Sequence, residues 1–407
     1  MPVPLSPTTA QERIQSLDLL RGIAVLGILL MNVQSLSMPG AAYLNPTAYG
    51  NLEGMNYWVW VLSHLFADQK FMTLFSVLFG AGMLLVSDRM EQKSQSPLTF
   101  HLKRNFWLLI IGLVHAYLIW YGDILVVYAL CSFLVFWVRN KSPRTLVVIG
   151  LLVLSIPTLI NLFFSVSLQF MPPDVVEELE LGWHPSPEMI AEELAAVTGS
   201  LAAQIAHNAQ AALEMHTFVF VVLFLWRASG LMVIGMALYK WDILTASRST
   251  SFYRKGMLLG FSIGIPLTVF GIVQNFHAGW SMDYSLFTGA SFNYWGSLAQ
   301  SFGYLCAVML FSKSAAAAGI KRRLAAIGQM ALTNYIAQSI IGVFIFYGLG
   351  LGLFGQVDRT TQVCITLGIW MLQYIWSKPW LDSFRFGPLE WVWRSLTYGK
   401  AQPMKKS

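Results

Sequence analysis

Charge is what this chain has least of. Only 11% of its 407 residues are Asp, Glu, Lys or Arg, where a soluble globular domain carries about 25%. So few charges cannot cover a water-exposed surface of this size, and a mean hydropathy of +0.58 points the same way. Cysteine is nearly absent. Cys131, Cys306 and Cys364 each sit in an apolar run and read as small hydrophobes, which excludes a disulfide framework. No Walker motif, no G-x-S-x-G and no H-E-x-x-H occurs, and no G-x-G-x-x-G follows a strand pattern. ATP-driven transport and soluble-type hydrolysis therefore lack their usual sequence support.

What the chain does have is long apolar runs. A spanning helix needs roughly 20 apolar residues. Ten windows come near that size, at about 17–38, 70–87, 105–121, 124–138, 145–171, 217–239, 256–275, 288–312, 328–352 and 360–378. The first is too long for a signal-peptide core and no A-x-A site follows it, so it reads as a retained span. The third and fourth, parted by Gly122 and Asp123, predict a tight helical hairpin. The mixed aromatic segment 57–70 predicts an interfacial or re-entrant helix. The fold class expected is all-α, a polytopic transmembrane helix bundle of about ten spans with both termini cytoplasmic.

Basic residues set that orientation. With the N-terminus inside, 22 of the 26 Lys and Arg residues fall in inside loops or at the inner ends of spans. Outside there is only Arg359, and Arg21, Lys70 and Arg227 lie within or at the edges of spans. The outside loop at 172–216 has eight acids and no Lys or Arg. The net charge of +6 is thus a topology signal and not a nucleic-acid footprint. Residues 1–407 read as a single membrane domain, with 172–216 a periplasmic helical loop and 379–407 a cytoplasmic amphipathic tail. The expected partners are the lipid bilayer and an envelope substrate, with no nucleic acid.

An ionisable group inside a span is costly and so marks a candidate site. His115 lies late in the third span and Asp123 at the hairpin tip, a pairing that suits a histidine base oriented by a carboxylate. The bland alternative is a core histidine bonded to a neighbouring helix. Asp18 and Arg21 share one helix face at spacing i, i+3, as a structural ion pair or a ligand site. Asn32 reaches the depth of His115 and could bond an acyl carbonyl or join two helices. Lys70 opens the second span, where snorkelling is its ordinary role. Arg227 lies mid-span and needs a carboxylate, a phosphate or water. Asn334 and Gln338, four apart, suit helix–helix hydrogen bonding. His64 and Asp68 have metal-compatible spacing, but two ligands do not make a site and no metal is expected.

The segments LDLLRGIAVLGILLMNV, KFMTLFSVLFGAGM, HAYLIWYGDILVVYAL, GQMALTNYIAQS and GPLEWVWRSLTYG together resemble the YeiB-type bacterial inner-membrane proteins, in order and spacing across nearly the whole chain. The first spans are distantly similar to the transmembrane acyltransferase group that includes the lysosomal heparan-glucosaminide N-acetyltransferases, through Asp18, Arg21, Gly22 and Asn32. That resemblance implies an acyltransferase with acyl-CoA (acetyl-CoA) as donor substrate at the inner face. The acceptor would be an envelope glycan or lipid. His115 would take the acceptor proton, Asp123 would orient it, and Asn32 or Gln338 would help hold the oxyanion. Arg21 and the basic inside loops would meet the donor phosphates. The rival is a transporter or flippase using Asp18, Arg21 and Arg227.

Overall fold

The structure, a computed structural model, describes residues 13–406. Apolar runs with few interior breakers become long helices: α1 (Gln15–Ser37), α2 (Gly54–Phe66), α3 (Lys70–Gln92), α4 (Pro97–Leu118), α5 (Leu125–Val135) and α6 (Pro143–Ser167). The acidic loop forms α7 (Pro173–Trp183), α8 (Pro187–Thr198) and α9 (Leu201–Glu214). Then follow α10 (Leu225–Lys240), α11 (Thr250–His277), α12 (Ala290–Lys313), α13 (Ala318–Gln329), α14 (Ala331–Phe346), α15 (Arg359–Ser383) and α16 (Pro388–Tyr398). Among the described residues no strand occurs beyond a single bridge between Phe384 and Lys405. Start signals are local. Ser96, Ser142, Ser186, Ser200, Ser249 and Asp358 each cap a helix by accepting the backbone N–H three residues on. Pro97, Pro143 and Pro187 follow three of these caps, where a missing N–H costs nothing.

Polarity is arranged inside out. Leu152, Leu159, Phe163, Leu258, Phe270 and Met371 are exposed, as lipid-facing side chains should be, while Lys70, Arg227, Gln300, Asn334, Gln338 and Gln373 are buried. The basic loops gather at one end of the bundle. There Lys240 Nζ donates to the Lys141 carbonyl (2.8 Å), Trp393 to that of Arg104 (2.8 Å) and Lys313 to those of Ala246 and Arg248. The acidic helices gather at the other end. Gly40 N–H donates to Glu193 (3.0 Å), Asn45 to the Trp183 carbonyl, and Gly348 N–H to Val197.

One expectation needs correction. Among the described residues five stretches are long and apolar enough to cross a membrane: Gln15–Ser37, Gly54–Gln92, Pro143–Phe170, Leu201–Lys240 and Thr250–His277. A sixth is obtained if α13 and α14 count as one, and the more polar long helices fall outside this criterion. The correction concerns 328–352. That stretch is not a straight span: α13 and α14 meet at an 80° bend, and α14 stops at Phe346. The bend has two local causes. Gly328 lies so close to α1 that a Cβ would meet the Asp18 carbonyl oxygen at 1.9 Å, and one on Gly22 would meet Leu324 O at 1.9 Å. The new helix start at Leu332 and Thr333 is then capped from outside by the Glu390 carboxylate of α16. In the tail region α15 runs through Pro379 to Ser383, and α16 follows from Pro388.

Candidate functional site

The hairpin between α4 and α5 builds the central feature. After Leu118 the chain turns through 119–124. A Cβ on Gly122 would strike the Trp120 ring at 2.3 Å, so this turn requires glycine where the indole folds back. The turn carries Asp123 over the end of α4, where its Oδ1 lies 2.8 Å from His115 Nδ1. Its Oδ2 accepts the Val126 N–H at 2.7 Å, which fixes the carboxylate on α5. His115 and Asp123 are 1% and 2% exposed. The Tyr335 ring of α14 lies 5.2 Å from the imidazole, and its hydroxyl donates to the Gly122 carbonyl. Trp120 stands edge-on at 6.3 Å.

The dyad leaves His115 Nε2 buried and without a hydrogen-bond partner. Trp120 Nε1 and the Tyr347 hydroxyl are in the same condition and belong, with Val33 and Leu36 flanking Gln34, to one packed cluster. Buried polar atoms are normally satisfied, so these three call for a partner such as water or a polar ligand. Behind the dyad, His216 lies 5.9 Å from Tyr117 in a π-helical stretch, Met215–Phe224, and neither of its ring nitrogens is bonded. Such stretches are frequent at functional sites. Nothing in the sequence spacing marked Tyr335 as a neighbour of His115, or His216 as a neighbour of Tyr117, because they arrive from other helices.

Other expected site residues separate into three places. Asp18 and Arg21 pair at 3.0 Å, with Arg13 at 4.0 Å from the same carboxylate. They stand at the basic end, beside a cleft of about 270 Å³ lined by Arg89, Lys93, Arg104, Glu390, Trp393 and Arg394. Arg104 stacks on Trp393 at 4.6 Å. Burial pulls the Arg394 guanidinium below its ordinary value and Arg13 and Arg21 add to this, while Tyr398 and Glu390 oppose. Crowded, partly desolvated guanidinium groups have the chemistry to meet an anion. Asn32 is half-buried on α1.

Asn334 and Gln338 take the bland role. Asn334 donates to Ile327 O and Ser377 and accepts from Trp376. Gln338 donates to Val25 O and to Gln373, both at 3.0 Å. An amide has two such hydrogens, so Gln338 has none left for an oxyanion.

Lys70 and Arg227 form the third place, and Lys70 corrects the sequence reading. Lys70 does not snorkel: it is fully buried and donates to Asn293 Oδ1 (2.6 Å) and His64 O (2.8 Å). Asn293 in turn donates to Asp68 (2.7 Å), which also faces His64 Nδ1 at 3.3 Å. Among the described residues Arg227 forms no ion pair. It donates to Thr73 Oγ1 (3.1 Å), Ser297 Oγ (2.8 Å) and Tyr294 O (3.4 Å) and stacks on the Tyr294 ring. Hydroxyls from α3 and α12 solvate it as water would. Asn293 was missed because an asparagine in an aromatic run has no pattern of its own.

An interior of bonded polar groups inside an apolar shell defines an all-α polytopic membrane protein. Comparison by sequence then gives its family. The chain is 32% identical over 402 residues to the uncharacterized protein YeiB of Escherichia coli (strain K12), covering 96% of this chain and 98% of that one. It is 30% identical over 424 residues to the uncharacterized protein YxaH of Bacillus subtilis (strain 168), at 99% and 98% coverage. A protein of Bacillus acidopullulyticus, an uncharacterized 39.9 kDa protein in the amylase 3' region, is 25% identical over 402 residues. Residues 238–400 match a family described as a protein of unknown function, DUF418. The chain belongs to the YeiB family. No solved structure matches it.

Proposed function

We propose that this protein is an acyltransferase of the bacterial inner membrane. It would move an acyl group, acetyl in the simplest case, from cytosolic acyl-CoA to a hydroxyl or amine on an envelope glycan or lipid. One observation carries the reading: the His115–Asp123 pair at 2.8 Å, with Nε2 buried and free to take a proton. Asp123 holds Nδ1 as the donor, which leaves Nε2 as the base. In the proposed step the acceptor oxygen or nitrogen attacks the thioester carbonyl while Nε2 removes its proton. The carbon–sulfur bond breaks, and the thiolate leaves with the proton returned by His115. Asn32 is the group left to polarise the carbonyl. The basic cleft supplies the guanidinium groups that meet the donor phosphates. His115 is enclosed in the described conformation, so the reading requires α4, α5 and α14 to part when substrate enters.

A transporter is the second reading, favoured by the helix break at residues 67–69. There Gly54–Gln92 is interrupted, Gln69 adopts φ +64, and Asp68 and Lys70 face Asn293 in the interior. Broken helices bearing charge are where transporters bind substrate.

The test uses purified protein in proteoliposomes with labelled acetyl-CoA and an envelope extract. Transfer of label should be lost in His115→Gln, which retains hydrogen bonding but not basicity, and reduced less in Asp123→Asn. Full transfer by His115→Gln would overturn the assignment. Absence of any labelled product in wild type, with uptake of an extract component, would favour the transporter.

A further inference from the structure

Arg359 is the one basic residue that the sequence places outside, and its environment is unusual for a cation. It is 1% exposed. It is the first residue of α15, where the helix dipole is positive and disfavours a cation. Among the described residues its side-chain hydrogen bonds go only to neutral acceptors, Gln34 Oε1 and the Pro46 carbonyl, each at 3.3 Å. Among the described residues no carboxylate lies within 4.0 Å of it. The adjacent Asp358 is exposed and engaged by the Thr361 N–H at 2.8 Å.

Two buried donors remain unused here. Arg359 Nε has no partner, and neither does Nε2 of Gln362, which is 2% exposed. At spacing i, i+3 they lie on one face of α15. A buried cation with no counter-charge, beside a second orphaned donor, calls for an acceptor bearing negative charge.

We infer that the acidic end holds a carboxylate-binding site, formed by Arg359 and Gln362 with Gln34 beside them. Two free donors match the two oxygens of one carboxylate, whereas a phosphate would leave further oxygens dry. Val33 and Leu36, which flank Gln34, pack in the same cluster as Trp120, the edge-on neighbour of His115. Resting on the transferase reading, this site anchors the acceptor, which would be a carboxylate-bearing envelope saccharide.

The experiment measures thermal unfolding of the purified full chain with glucuronate, glucose or inorganic phosphate at matched ionic strength. Glucuronate should raise the midpoint saturably, and glucose and phosphate should not. Arg359→Gln should weaken the glucuronate response roughly 10- to 100-fold, the range for loss of a hydrogen bond to a charged group. It should leave the unliganded midpoint unchanged, since it removes an uncompensated charge. Gln362→Leu should weaken the response several-fold. Equal responses to phosphate and glucuronate would overturn the proposal, as would a full glucuronate response in Arg359→Gln. So would an unresponsive wild type whose midpoint falls in Arg359→Gln, which is the mark of a purely structural arginine. The same titration in His115→Gln separates the two readings. Binding there, together with no acyl transfer in wild type, removes the transferase and keeps the site.

Discussion

Replacing Glu390 by alanine should loosen the bend between α13 and α14 without disturbing the rest of the bundle. The carboxylate accepts the Leu332 N–H at 2.6 Å, the Thr333 N–H at 3.0 Å and the Thr333 hydroxyl at 2.6 Å. Truncation leaves two helix-start amides without an acceptor. Each buried orphan costs about 1–3 kcal/mol, and the lost charge at the helix start adds a few tenths. Because Thr333 is part-exposed and water can reach it, about 3 kcal/mol is the expected total, which raises local opening roughly 100-fold. Hydrogen exchange on the protein in nanodiscs should show faster exchange at Leu332 and Thr333, with the α6 and α11 amides unchanged. Glu390→Gln keeps one acceptor oxygen and should lose less. Unaltered exchange at Leu332 in Glu390→Ala would refute the capping argument. The pH dependence follows from the same site. Burial, the largest influence, raises the Glu390 carboxyl above its ordinary 4.5, against the hydrogen bonds from Thr333 and Leu332. Ionisation is therefore costlier folded than unfolded. The stability advantage of wild type over Glu390→Gln should fall as pH rises from 4.5 toward the raised value and be level above it.

Gly328→Ala places a methyl group 1.9 Å from the Asp18 carbonyl oxygen, a backbone atom that cannot rotate away. It should push α1 from α13 and lower the thermal midpoint markedly in detergent, and an unchanged midpoint would contradict the close packing. A periplasm-active reporter fused at residue 195 should be active and one fused at 318 inactive, as the basic residues require. Cytoplasmic activity at 195 would invert the map.

Much of the architecture was legible because the bilayer imposes one rule, that apolar runs become helices. The count of spans was less so, since windows cannot distinguish a straight helix from one bent at Met330. That bend depends on Gly328 against α1 and on Glu390, which lies sixty positions further along the chain. The same limit applies to the site. His115 and Asp123 are eight apart, and their pairing could be read from the hairpin. Lys70 misled because snorkelling is decided by what lies beside the ammonium, and Asn293 comes from a distant helix. At Arg227 the need for polar neighbours was legible but not their source, since the hydroxyls come from other helices.

The basic cleft and the dyad are joined by one helix, and the spacing makes a last prediction. Arg104 and His115 are eleven residues apart on α4. At roughly 100° per residue they share a face, and at roughly 1.5 Å per residue they are about 16 Å apart. Leu108 and Ile111 lie between them on that face and pack in one apolar cluster. A donor that rests its phosphates at Arg104 can present its carbonyl to His115 only through a long, thin arm laid along this lane. Acyl-CoA has such an arm, and acetyl phosphate has the same reactive acyl group with its phosphate directly attached. Labelled acetyl-CoA should therefore support transfer, and acetyl phosphate at equal concentration should not. Arg104→Gln should raise KM for acetyl-CoA roughly tenfold, the scale of one phosphate hydrogen bond, with kcat nearly unchanged, because the lost contact is equally present in ground and transition states. Efficient transfer from acetyl phosphate would show that the donor does not enter from the cleft at all, and that the dyad is reached from the acidic end.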